Sequence, residues 1–142
     1  MRAGSKKSHL AGLVSAFTPA EIEYLHSQPL MRFATASLTG RPDVAPVVFE
    51  IDGDDILTSG FDIGKTVRYG NVKANPRATV VIDDLASTNP WSPRGIKVIG
   101  SCVVESHDTG ERFRISPEVI ISWAINDTTP GIPNMERRTI GT

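Results

Sequence analysis

Lys65, Thr66 and Arg68 are the residues whose types and spacing best suit chemistry, and they lie in the stretch Asp55–Pro76, DILTSGFDIGKTVRYGNVKANP. That stretch opens as an apolar strand, breaks at Gly60 and restarts as a helix, with Asp62 as the expected N-cap. Asn75-Pro76 stops the helix, because the residue before a proline is pushed out of the α region. Lys65 and Arg68 are three positions apart and would share one face. A helix start carries unpaired N–H groups and partial positive charge, so cations there gain nothing from the dipole. Basic side chains in a first turn make sense where an anion binds, as phosphate groups do at helix starts. The alternative is a solvated amphipathic helix after a hairpin, and the residues alone weigh the two evenly.

Other catalytic constellations are missing from the sequence. His9, His26 and His107 fall in a terminal segment, at a helix end and beside a turn; they show no metal-ligand spacing and read as surface histidines. No Ser-His-Asp order can be argued, and there is neither a Walker-type loop nor a GxGxxG. Cys102 is the single cysteine and lies in an apolar run, which suits a buried thiol, and one cysteine excludes a disulfide framework. Asp83-Asp84 reads as the end of a strand, and Asp52, Asp54 and Asp55 as turn residues around Gly53. A basic helix start without an acid, base or nucleophile suits chemistry carried by a cofactor, with flavin-type hydride transfer the natural class. No catalytic side chain is assigned; Tyr69 is a candidate proton donor, with a packed tyrosine the plainer reading.

The elements that must position these residues fit one domain of 142 residues. An apolar fraction of 39% and a charged fraction of 22% are those of a soluble globular chain. A net charge of -1 and few aromatic residues argue against nucleic-acid binding. No segment is long enough to span a membrane, no convincing signal peptide is present, and the cysteine usage fits a cytoplasmic protein. Residues 1–15 read as a flexible arm, 16–126 as the folded domain and 127–142 as a polar tail without periodicity.

Thr18-Pro19-Ala20-Glu21 is a full helix start with a capping box, and Pro29 ends that helix. Strands are expected over Leu30–Leu38, Val44–Ile51 and Asp55–Ser59, joined by tight turns into an antiparallel meander. After the basic helix come strands at Ala78–Ile82 and Gly95–Glu105, separated by a loop over Ala86–Arg94. Two more short strands, Arg112–Ser116 and Glu118–Ile125, flank Pro117. Gly100 in the middle of a long strand marks a bulge or bend. Six or seven short strands with two short helices favour a small barrel, whose closure removes exposed edges.

Five stretches in this order carry a family resemblance: FTPAEIEYL, MRFATASLTGRPDVAPVVFEI, LTSGFDIGKTVRYGNVKANPRATVVIDDL, NPWSPRGIKVIGSCVV and FRISPEVIISWAI. The chain resembles, from Phe17 to Asn126, the pyridoxamine-phosphate-oxidase-like split β-barrel proteins, and within them the subgroup that uses the deazaflavin coenzyme F-420. The resemblance implies a mainly β fold, a six- to seven-stranded antiparallel split β-barrel of the FMN-binding type with two short helices. It implies a homodimer with two cofactor sites at the subunit interface. It points to Phe33, Ala34, Thr35, Pro46, Val47, Thr58 and Ser59 as the cradle of the cofactor ring. It points to Lys65, Thr66, Arg68 and Asn71 as the phosphate site, which coincides with the anion site suspected from helix physics. The partner subunit is expected to add the loop around Trp91 and Arg94. Family members commonly carry more basic residues between the positions of Thr66 and Asn71, where this chain has Val67 and Gly70. The implied function is an F-420-dependent oxidoreductase that passes hydride to a small electron-poor organic substrate. The alternatives are an FMN enzyme of the same fold and a cofactor-binding protein without turnover; a haem-binding relative is a weaker third reading, without a defensible axial histidine.

Overall fold

The computed structural model describes residues 15–129 and 134–141. The expected N-terminal arm lies outside them, apart from Ser15, whose hydroxyl donates to Asp54. In chain order the elements are α1 (Pro19–His26), β1 (Met31–Ala36), β2 (Pro42–Val47), β3 (Glu50–Asp52) and β4 (Asp55–Thr58). A single 3-10 turn (Ile63–Lys65) then leads into α2 (Val67–Ala74), followed by β5 (Arg77–Thr88), β6 (Trp91–His107), β7 (Gly110–Trp123) and β8 (Met135–Thr139).

The strands form one antiparallel sheet in the order β2-β1-β5-β6-β7-β4-β3, with β8 also paired to β7. β2 and β3 stand at opposite ends of that order, yet only Val48 and Phe49 separate them in the chain. An extended residue spans at most about 3.6 Å, so the sheet has to curl until its two ends meet. No strand pairing joins those ends among the described residues, so the result is a barrel with one open seam. Thr58 Oγ1 donates to the Val48 carbonyl at 2.6 Å and ties the two sides of the seam together. The inner wall is the period-two face of each strand: Met31 and Phe33 from β1, Val80 and Ile82 from β5, Ile96 and Val98 from β6, Phe113 and Ile115 from β7, all buried. Phe33 meets Phe113 edge to face, with centroids 5.1 Å apart.

The structure departs from the expected strands in four places. The strand expected over Val44–Ile51 divides into β2 and β3, because the chain crosses the seam at Val48. The loop expected over Ala86–Arg94 is the far end of the β5–β6 hairpin, and Asp83-Asp84 does not end β5: Asp84 lies opposite Arg94 and is paired with it at 2.7 Å. Pro117 does not divide β7. It sits where β7 lacks a second neighbour, between the residues paired to β4 and those paired to β8, so its missing N–H breaks no ladder. Opposite it is Gly100, at a register shift, where an added Cβ would come within 2.1 Å of the Ser116 carbonyl oxygen. β8 lies within the segment read as a structureless tail, and it brings the strands to eight.

What holds β8 is a buried carboxylate. Glu21 closes the capping box of α1 as the sequence predicts, accepting from the Thr18 amide at 3.0 Å. Its side chain is also fully buried, and it accepts from Asn126 Nδ2 and from both terminal nitrogens of Arg138 on β8. Arg138 donates further to the Ala16 carbonyl. Burial pulls the Glu21 carboxyl upward, but the bonds from Arg138, Thr18 and Asn126 outweigh it and hold the carboxyl below its ordinary range. Arg138→Ala leaves this carboxylate buried without its cation and is expected to cost about 3–5 kcal/mol, measured by denaturant unfolding. Because the folded-state pKa of Glu21 is lowered, its stabilisation is complete above the ordinary carboxylate range and fades as pH falls through the lowered value. Glu21→Gln should therefore flatten the acid limb of the stability profile.

Candidate functional site

The seven residues expected to cradle a ring divide between the two faces of the wall. Phe33, Thr35, Val47 and Thr58 point into the barrel and are buried. Ala34 is partly open, and Pro46 and Ser59 are exposed. Ala34 and Pro46 lie on the outer face of the β1–β2 ladder, and Ser59, just past β4, lines the cavities beside the seam.

At the helix start the structure corrects the capping. Asp62 adopts a left-handed conformation (φ 62°, ψ 47°) without capping anything by its side chain. The N-cap of α2 is Thr66, whose Oγ1 accepts from the Tyr69 amide at 3.3 Å and donates to the Ile63 carbonyl at 2.6 Å. Lys65 therefore precedes α2 and ends the 3-10 turn; its ammonium is exposed and 3.3 Å from the Asp62 carboxylate. Asn71 is buried, with its Nδ2 donating to Thr35 Oγ1 at 3.0 Å, which docks α2 onto β1. Arg68 differs from these: its Nε is buried and has no hydrogen-bond partner among the described residues. A buried unpaired donor costs free energy unless something accepts from it. This orphan fits an anionic group at the start of α2.

Trp91 opens β6 and is 68% exposed. Arg94 is already engaged within its own chain. It makes two hydrogen bonds to Asp84, at 2.7 and 3.0 Å, and its guanidinium lies over the Tyr24 ring. The hydrogen bond from Arg94 is the main reason the Asp84 carboxyl falls below its usual range. Burial, then the bond it donates to Asp84, push the Tyr24 hydroxyl up.

Two cavities open beside these elements. The larger, about 480 Å³, lies between residues 59–64 and the β6–β7 turn, and is lined by Ser59, Asp62, His107, Thr109 and Glu111 among others. The smaller, about 210 Å³, follows the seam past Val48, Phe49, Glu50 and Thr58. Ser59 and His107 line both. Tyr69 on α2 donates to Glu111 at 3.0 Å, so the helix that carries Arg68 is tied to the wall of the larger cavity. That bond is also the first reason the Tyr69 hydroxyl titrates above its ordinary value. His107, Glu111 and Arg112 were missed from the sequence as site residues. Their only signal is the turn at Asp108-Thr109-Gly110, which says nothing of what the turn faces. Cys102 is fully buried, and burial pushes its thiol up to about 12, which rules out a thiolate nucleophile near neutral pH. Among the described residues no cluster of His, Cys, Asp or Glu could hold a metal ion, and no helix is long and apolar enough to cross a membrane.

Comparison with known proteins gives a concordant picture. The pyridoxamine 5'-phosphate oxidase family matches residues 17–136. A 5a,11a-dehydrotetracycline/5a,11a-dehydrooxytetracycline reductase of Streptomyces rimosus is 33% identical over 127 residues, which is 82% of this chain and 89% of that protein. Among solved structures, a conserved hypothetical protein of Mycobacterium tuberculosis superposes with a TM-score of 0.65 at 16% identity, covering 91% of this chain and 95% of its own. A heme binding protein of Mycobacterium smegmatis gives 0.65 at 15% identity, covering 89% of this chain and 60% of its own. At those identities the structures establish the shared fold alone.

The Asn71–Thr35 bond generates a test. Asn71→Ala leaves the buried Thr35 hydroxyl without its donor and is expected to lower stability by about 1–3 kcal/mol in denaturant unfolding.

Proposed function

The chain belongs to the pyridoxamine 5'-phosphate oxidase family, and from that premise we propose that it is an oxidoreductase that uses coenzyme F-420 to reduce a small electron-poor organic substrate. The reductase relative supports the reaction class. The observation that carries the reading is the unpartnered Nε of Arg68, buried at the start of the helix where the cofactor's phosphodiester would lie.

In this reading Arg68 and Lys65 hold the phosphate, Arg68 through its orphaned donor and Lys65 as an exposed cation that exchanges Asp62 for the ligand. Thr66 serves the site by capping α2, and Asn71 by docking that helix onto Thr35. Ala34, Pro46 and Ser59 face the ring, and Phe33, Val47 and Thr58 keep the wall behind it rigid. When bound in its reduced form, the deazaflavin supplies the hydride. Two copies pair across the sites. The exposed apolar side chains of Val44, Val48, Leu85 and Trp91 on the outer wall suit such a partner. Arg94 then acts by bracing the Trp91 hairpin through Asp84. A cytoplasmic location suits the single buried thiol.

FMN is the competing cofactor, since its terminal phosphate carries about two charges at neutral pH, as a phosphoserine does. Titration of the purified protein with F-420 and with FMN separates the two, and tighter binding of FMN would transfer the reading to that cofactor. The double variant Lys65→Ala/Arg68→Ala is expected to stay folded and to bind F-420 more weakly by about 1.5–3 kcal/mol per lost charge-assisted contact. Unchanged affinity would reject the phosphate assignment. Reoxidation of reduced F-420 by enones or quinones separates an enzyme from a binding protein.

A further inference from the structure

We infer that the cavity between residues 59–64 and the β6–β7 turn receives the organic substrate, an oxygen-bearing enone, and that His107 delivers the proton its reduction requires. This rests on the reductase reading above. Reducing a conjugated double bond takes a hydride on one carbon and a proton on its neighbour. Histidine is the side chain best suited to give and regain a proton near neutral pH. Tyr69 is set aside, because its hydroxyl proton is already given to Glu111. Cys102 is sealed in the core. His107 stands where the two cavities meet, beside Ser59, one of the ring-facing positions.

The charged groups facing the cavities come from three directions: Asp62 from the loop, Glu50 from β3, and Glu111 and Arg112 from β7. Asp62 pairs with Lys65, Arg112 with Glu105, and Glu111 accepts from Tyr69. The imidazole of His107, by contrast, takes no hydrogen-bond partner among the described residues, so its N–H groups are available to a ligand. A cavity of about 480 Å³ has the size of small-molecule sites, and its hydroxyls and carboxylates suit a substrate bearing hydroxyl groups. In the step itself the β-carbon of the enone accepts the hydride. The electron pair of the double bond moves toward the α-carbon, and the N–H bond of the imidazolium breaks as its proton joins that carbon. The substrate gains two electrons, the cofactor loses them, and the neutral imidazole takes a new proton from solvent through the open cavity.

His107→Gln tests this with cyclohexenone as the probe. Turnover of reduced F-420 is expected to fall about 100-fold or more. F-420 affinity and the unfolding midpoint should stay as in the parent. Independently, the imidazole NMR signal that disappears in His107→Gln should shift when cyclohexenone is added to the parent protein, with or without oxidised F-420. An unaltered rate in the variant, or an imidazole signal that does not move, overturns the inference. A parent protein that reoxidises no reduced F-420 overturns the reductase reading instead, and the NMR shift then decides the cavity assignment alone.

Discussion

Two residues, Val48 and Phe49, impose the shape of the whole domain. They are all the chain that separates one end of the sheet from the other, and a span that short forces seven strands to roll into a barrel. The roll is completed without strand pairing, so backbone groups and space remain along the seam. The smaller cavity follows that line, and the larger one adjoins it at Ser59 and His107. The candidate site is thus what an unclosed barrel leaves behind, lined by whichever loops flank the gap.

Ion pairs set the far side of this gap. Arg114 on β7 reaches Glu105 on β6, Asp55 on β4 and Asp52 on β3, all within 3.1 Å. Single surface pairs contribute little, but a planar guanidinium shared among three strands fixes geometry as well as charge. Bonds from Arg114 and then Arg112 hold the Glu105 carboxyl down at about 2. Strand β3 has no fully buried side chain of its own, and this clamp helps keep the β3–β4 hairpin beside β7.

Much of this was legible in the residues. The capping box at Thr18, the β1–β2 and β3–β4 hairpins, the bend at Gly100 and the break before α2 follow from local rules of caps, turns and period two. The expected three-strand meander, by contrast, is split where the chain crosses the seam. Several misreadings share one cause: the deciding partner lies on another strand. Asp84 looks like a strand end until Arg94 lies opposite it. Met135–Thr139 has no alternation, and only its pairing with β7 and the Arg138–Glu21 contact make it a strand. Asp62 has the composition of a cap but the conformation of a turn. For the site, the basic helix start was visible, and its orphaned donor was not. Asn71 and Thr35 were pointed to by the family resemblance, as phosphate site and ring cradle, and the fold bonds them to each other.

The Glu21–Arg138 contact also bears on how the chain acquires its structure. The helix α1 carries a carboxylate whose counter-ion is 117 positions downstream. Until residue 138 has been synthesised, α1 has nothing to neutralise the charge it must hide. The docking of α1 is therefore complete only once β8 has joined the sheet, which couples two elements far apart in the chain.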